Sequence, residues 1–221
     1  MQISDQIIYK NNQMLAFNKP CGLPCQADKT NDKSLLDLAE IYAKSTLHLI
    51  HRLDRPASGI VLLAKNKKGA AHLNLQFQNR TIKKTYLAVV KNHPPEKEGY
   101  LTHFFRKNQK VNRSFAQSEE MKNSKKGELK YKVIGSIENY HLLEIDLLTG
   151  RHHQIRAQLA AIDCPIKGDD KYGFKRGNKD RSIHLHAWKL VFQHPVTNES
   201  VYLEAPIPDE VVWQAFDFQK T

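Results

Sequence analysis

This chain contains no run of about eighteen apolar residues, the length that would be needed for a membrane-spanning helix. Its N-terminus, "MQISDQIIYKNNQ", lacks the apolar centre of a secretory signal. The three cysteines, Cys21, Cys25 and Cys164, form neither an even disulfide framework nor a C-x-x-C pair. These absences lead to the expectation of a soluble protein in a reducing cytoplasm. No serine sits in a G-x-S-x-G elbow, and the dispersed glycines form neither a phosphate-binding loop nor a dinucleotide fingerprint. No metal is expected, because neither the His152–His153 pair, the His184–His186 pair nor Cys21 with Cys25 has the spacing of a closed zinc set. His184 and His186 alternate onto one strand face, where packing or hydrogen bonding explains them, and the two cysteines flank a Gly-Leu-Pro turn as structural residues. Repeats and low-complexity segments are also missing.

What the chain does have is positive charge. Its 34 Lys+Arg outnumber 23 Asp+Glu, giving a formal net charge of +11. Such an excess attracts polyanions, so nucleic acid is the first partner to consider, with a merely basic soluble protein as the alternative. The cations come in small clusters, at Lys65, Lys67 and Lys68, at Arg80, Lys83 and Lys84, and at Lys122, Lys125 and Lys126, which fits a folded surface better than a basic tail. A length of 221 residues with 40% apolar content is enough for a real core, and no composition break divides it, so a single domain over 1–221 is expected.

Local patterning predicts an α+β fold on a mixed, mostly antiparallel sheet. "IIYKN" and "MLAFNKP" read as strands, and a helix opens at Ser34 with Asp37 completing a shortened capping box. "IVLLAK" reads as a buried strand, "KKGAAHLNLQFQN" as a helix carrying Ala70, Leu73 and Phe77, and "KKTYLAVV" as a strand. Segment 93–127, polar and basic, is expected to form a hairpin with a mobile tip. "ELKYKVIGSIENYHLLEIDLL" reads as two strands turning near Glu138 and Asn139. "RHHQIRAQLAAID" follows as an amphipathic helix with Ile155, Leu159 and Ile162 inward and His152, His153 and Arg156 on its polar face. A hairpin turning near Asn198 and a closing helix opening at Pro208 complete the chain.

Three residues stand out chemically. Asp54, in "HRLDRPASG", lies between arginines, and positive charge beside a carboxylate favours its ionised form as base, nucleophile or ligand; the alternative is a turn cap or a pair with Arg55. Arg156, in "TGRHHQIR", presents a guanidinium suited to a two-pronged bond with a carboxylate from another segment, and Asp54 is one candidate. Tyr86, in "KKTYLAVV", can stack on a base while its phenol serves proton transfer, or it can be an ordinary strand-face tyrosine.

"HRLDRPASGIVLLAKN", "FQNRTIKKTYLAVV" and "LLTGRHHQIRAQLAAIDCPIKGDDKYG" resemble, in that order, the aspartate, tyrosine and arginine motifs of the RluA-type family of pseudouridine synthases. "LAFNKPCGLPC" and "HLHAWKLVFQHPVTNE" resemble its opening lysine-proline motif and terminal hairpin. The resemblance implies the pseudouridine synthase fold, with a cleft across the sheet and no cofactor or metal. It makes Asp54 the catalytic aspartate, Tyr86 the contact to the target base and Arg156 the ion partner of Asp54. Arg52 would enter the space left by the extruded nucleotide, and Arg55, Lys83, Lys84, Arg151 and His153 would join it in RNA binding and base flipping.

The expected reaction is conversion of uridine to pseudouridine in a stem-loop of ribosomal or transfer RNA, by a monomer without a separate RNA-binding domain; residues 1–14 are too few for the N-terminal module some relatives carry. Extruding a base costs a few kcal/mol, which backbone contacts from a basic groove must offset. Lys83, Lys84, Lys107, Lys110 and Arg113 are the expected phosphate contacts. A non-catalytic RNA-binding or RNA-folding protein on the same scaffold is the alternative. Two departures bear on substrate choice: Ala57 stands where the family commonly has threonine, and His152 stands where a threonine often precedes "HQIR".

Overall fold

The computed structural model describes residues 2–30 and 32–217. By its contacts the chain divides into two compact units, Met1–Lys84 with Ala187–Pro206, and Thr85–His186 with Ile207–Thr221.

The first unit holds β1 (Ile7–Lys10), β2 (Met14–Lys19), α1 (Leu35–Ala43), β3 (His48–Leu49), β4 (Ser58–Ala64) and α2 (Lys67–Gln78). β1, β2 and β4 pair antiparallel in that order, and β3 pairs with the end of β4. "IVLLAK" reads as a continuous apolar run because both faces of β4 are covered. Ile60, Leu62 and Ala64 join Met14, Ala16 and Leu73 of α2 in one core cluster, while Val61 and Leu63 join Leu15, Phe17 and Leu35 of α1 in another. Ser34 caps α1 in a capping box with Asp37, and Asn66 caps α2 by accepting from the Gly69 N–H at 2.8 Å.

The second unit is built on β5 (Lys83–Val90), β6 (Glu98–Asn108), β7 (Arg113–Gln117), β8 (Lys125–Ile137) and β9 (Tyr140–Leu147), paired antiparallel in the order β5–β9–β8–β6–β7. α3 (Gln154–Ala161) lies against β7 and β6. β10 (Leu185–Gln193) begins in this unit and continues into the first, where it pairs with β11 (Ser200–Glu204) around a turn with Asn198 at positive φ. The α+β, antiparallel expectation holds in both units. Among the described residues no helix is long and apolar enough to cross a membrane.

Segment 93–127 contains the expected hairpin, β6 with β7, and its tip is residues 109–112. Two other local expectations need correction. α3 starts at Gln154, after both histidines, because His153 sits at φ 53, a left-handed conformation that cannot continue a helix. Nor does α3 have a solvated polar face: Gln154, Arg156 and Gln158 are buried with partners. The closing helix, α4 (Val211–Gln214), does not open at Pro208. Glu210 caps it while accepting from His184 Nε2 at 2.9 Å, and Trp213 stacks on that imidazole. The rest of that predicted helix, beyond Asp217, lies outside the described residues.

Gly59 is needed where β4 begins. Its φ is +110°, and a Cβ there would meet the backbone oxygen of Ala187 at 2.3 Å. Gly59→Ala is therefore expected to cost more than about 1 kcal/mol, read as a lower thermal midpoint by roughly 2–4 °C per kcal/mol. An unchanged midpoint would show that β10 can move aside.

Candidate active site

The first unit carries Asp54, Arg52, Arg55, Lys83 and Lys84. Asp54 lies in the loop leading into β4, with the Ala57 N–H donating to its carbonyl at 3.0 Å in a tight turn. Its neighbours on both sides are tied to the loop that follows β2. The Leu53 N–H donates to Cys25 Sγ at 3.3 Å and the thiol donates back to the Leu53 carbonyl at 3.4 Å. On the other side, the Gly22 N–H donates to the Arg55 carbonyl at 2.8 Å and Arg55 Nε returns a bond of 2.8 Å to the Gly22 carbonyl. The backbone at Asp54 is thus held before and after the residue.

Lys19 completes this arrangement. Fully buried at the end of β2, its Nζ donates to the carbonyls of Pro20 and Leu23, both at 2.9 Å, and to that of Arg55 at 3.3 Å. Burial lowers its pKa to about 8, against the pull of nearby Cys25, Cys21 and Asp54. Sequence reading missed this use of Lys19, although "NKPCGLPC" contained its signal: a lysine at a strand end followed by a Pro/Gly turn with carbonyls to satisfy.

Arg55 was expected on RNA. Its guanidinium instead meets Asp28 at 3.3 Å, the Thr30 hydroxyl at 2.8 Å and Asp32 more closely still, with 37% of the side chain exposed. Asp32 is held below the usual carboxylate range first by that arginine, and Asp28 first by the Thr30 hydroxyl. Arg52 and Lys83 are exposed. Lys84 is half-buried, and burial followed by the charge of Arg80 brings its pKa down to about 8.

His51, the first residue of the motif, is structural. Its Nε2 accepts the Leu62 N–H at 3.2 Å, and its ring stacks on Phe77 of α2 with centroids 5.0 Å apart. Burial and then Lys84 lower its pKa from 6.5 to about 4. Between those two pH values the unfolded chain binds the extra proton and the folded one does not, so stability falls as pH drops from about 6.5 toward 4. Replacing His51 with glutamine is expected to flatten that part of the thermal midpoint against pH. An identical slope in wild type and variant would refute a neutral His51.

The second unit carries Tyr86, Arg151, His153 and Arg156. Tyr86 stands on β5 opposite Ile145 of β9. The two-pronged carboxylate bond foreseen for Arg156 is made with Asp169: Nε donates to Oδ2 at 2.7 Å and Nη2 to Oδ1 at 2.8 Å. Arg156 is 4% and Asp169 1% exposed, and the guanidinium lies over the Tyr172 ring, 5.0 Å from its centroid. Asp169 was missed, because a partner thirteen residues away in "KGDDKYG" shows no helical spacing. Arg151 Nε donates to the Lys126 carbonyl at 2.8 Å, and His153 Nδ1 lies 3.0 Å from the Tyr172 hydroxyl. Of the expected phosphate contacts on the β6–β7 hairpin, Lys107 and Lys110 are exposed, whereas Arg113 is partly enclosed, its guanidinium over the rings of Tyr172 and Phe115.

Comparison with known proteins adds the following. The family described as "RNA pseudouridylate synthase" matches residues 13–161. An uncharacterized RNA pseudouridine synthase of Mycoplasma genitalium is 34% identical over 207 residues, covering 91% of this chain. This chain spans 66% of that relative's length. A ribosomal large subunit pseudouridine synthase C of Rickettsia conorii is 31% identical over 209 residues, covering 93% of this chain and 69% of its own. The solved structure of human RNA pseudouridylate synthase domain containing 4 superposes with a TM-score of 0.75 at 26% identity, over 94% of this chain and 90% of that one.

Proposed function

The chain belongs to the RNA pseudouridylate synthase family, and we propose that it isomerises uridine to pseudouridine in structured RNA, with large-subunit ribosomal RNA as the first substrate to test and transfer RNA as the second. The observation that carries this reading is the clamped turn at Asp54, whose backbone is fixed on both sides by Cys25, Gly22 and Lys19. Such a turn holds a carboxylate ready for a base that has left its stack, without reorganisation at the moment of reaction. The net charge of +11 supplies the attraction to the RNA backbone. Ribosomal RNA is favoured because the Rickettsia relative is named for the large subunit.

In this reading Asp54 acts on the ribose of the flipped nucleotide. The bond between N1 and C1′ breaks, the uracil turns, C5 bonds to C1′, and the proton on C5 leaves as one is taken up at N1. Tyr86 packs against the turning base, and its phenol serves the proton transfer. Arg156 is the third catalytic residue of this reading, a guanidinium whose orientation is set by Asp169. Arg52 occupies the gap left by the extruded nucleotide, with Lys83, Lys84, Arg151 and His153 on the surrounding RNA. The protein works as a monomer in the cytoplasm without a cofactor. The test is incubation of the purified protein with unmodified large-subunit ribosomal RNA and with unmodified transfer RNA, followed by pseudouridine mapping. Discrete new sites in the ribosomal RNA are expected; sites in transfer RNA alone would move the substrate, and none in either would overturn the reading.

A further inference from the structure

The registers of β6 leave a two-stranded finger. β8 pairs with β6 only as far as Phe105, opposite Lys125, whereas Arg106, Lys107 and Asn108 pair with Phe115, Ser114 and Arg113 of β7. An isolated two-stranded ribbon is marginal in water, so this finger needs other anchors. It carries Arg106, Lys107, Lys110 and Arg113, and it exposes Val111 and Phe115.

The anchors converge on one buried residue, Ser114. Its N–H donates to the Tyr172 hydroxyl at 2.9 Å, and that hydroxyl donates to the Ser114 carbonyl at 3.1 Å. The Ser114 hydroxyl meets His152 Nδ1 at 2.8 Å. The His152 imidazole stacks on that of His153, with centroids 3.8 Å apart and planes 22° from parallel. His153 in turn meets the Tyr172 hydroxyl through Nδ1 at 3.0 Å. The phenol's single proton goes to the Ser114 carbonyl, which assigns the Nδ1–H to His153. A threonine in place of His152 has no ring to stack and a shorter reach.

We propose that His152 is a positioning residue that latches this basic finger to the entrance of α3, so that the finger's cations meet the RNA backbone in a fixed place. The latch joins two parts with different tasks. α3 carries Arg156, one turn beyond His152, and the finger carries exposed Arg106, Lys107 and Lys110, which suit phosphate. The consequence belongs to substrate engagement more than to the chemical step, and it rests on the reading of the protein as an RNA pseudouridine synthase.

The experiment has two arms on the whole protein. In the first, amide hydrogen exchange is measured without RNA for wild type, His152→Ala and His152→Asn. His152→Ala is expected to speed exchange in residues 106–114 about three- to tenfold, the scale of one lost hydrogen bond, with the β5 and β9 amides unchanged. His152→Asn, whose amide can still bond the Ser114 hydroxyl, is expected to restore part of the protection. In the second arm, steady-state kinetics on the modified RNA are expected to show KM raised about three- to tenfold in His152→Ala, with kcat within about twofold of wild type. Unchanged exchange in the finger overturns the latch, as does loosened exchange with an unchanged KM. An equal fall in kcat with KM unmoved overturns the assignment to substrate engagement. Wild-type protein that modifies neither ribosomal nor transfer RNA defeats the functional reading instead, while the exchange arm still decides whether His152 holds the finger.

Discussion

Asp54→Asn is expected to lower pseudouridine formation by on the order of a thousandfold or more, the scale of removing a group that takes part in the chemical step, while RNA affinity stays within about threefold of wild type. The structure explains why this variant should fold. The bonds that hold the turn run through the backbone of Leu53, Asp54 and Arg55 and the side chains of Cys25 and Lys19. Replacing one carboxylate oxygen by an amide leaves that frame in place. The measurement is single-turnover conversion, with RNA binding followed in parallel across salt concentrations. Full conversion by Asp54→Asn would remove Asp54 from the chemistry, and wild-type binding without conversion would favour an RNA-binding protein on this scaffold.

Asp169→Ala is expected to cost about 3–5 kcal/mol of stability, the usual penalty for breaking a buried ion pair by removing one partner. At roughly 2–4 °C per kcal/mol for a chain of this size, the thermal midpoint falls by about 6–20 °C. Arg156 and Asp169 are both nearly inaccessible, and their two short bonds fix α3 to the loop following Ile166. Replacing both partners with apolar residues, Arg156→Met with Asp169→Leu, is expected to recover much of the loss, since no bare charge then remains buried. In the proposed mechanism the recovered protein stays inactive, because Arg156 is gone. A midpoint for Asp169→Ala within about 2 °C of wild type would mean that the pair does not hold α3.

Much of the fold was legible locally. The strands at "KKTYLAVV" and "IVLLAK" and the helix from Lys67 were predicted because their apolar spacing reports burial directly. The capping box at Ser34 was equally plain, since both of its partners lie within one turn. α3 and α4 were harder for a shared reason. His153 ends the helical pattern through its backbone dihedrals, and Glu210 sets the start of α4 through a bond to His184, twenty-six residues away.

The site residues divide in the same way. Asp54, Tyr86 and Arg156 stood out because they sit in ordered motifs of unusual chemistry, and those motifs also gave the family. Their supports did not stand out. Lys19 satisfies three carbonyls, Asp169 orients Arg156, and Ser114 meets His152 across 38 residues, contacts set by how strands and loops pack. Arg55 shows the reverse case, a cation that read as an RNA contact and is engaged by Asp28, Thr30 and Asp32.

The sequence by itself therefore determined the class of fold, the family and the three residues named for catalysis, since apolar period and motif order are properties of neighbours along the chain. Only the tertiary structure decided that a buried lysine frames the Asp54 turn, that Asp169 is the two-pronged partner of Arg156, and that His152 meets the finger. Satisfying a buried polar group depends on which distant segment packing brings within about 3 Å, and no local pattern in the sequence records that distance.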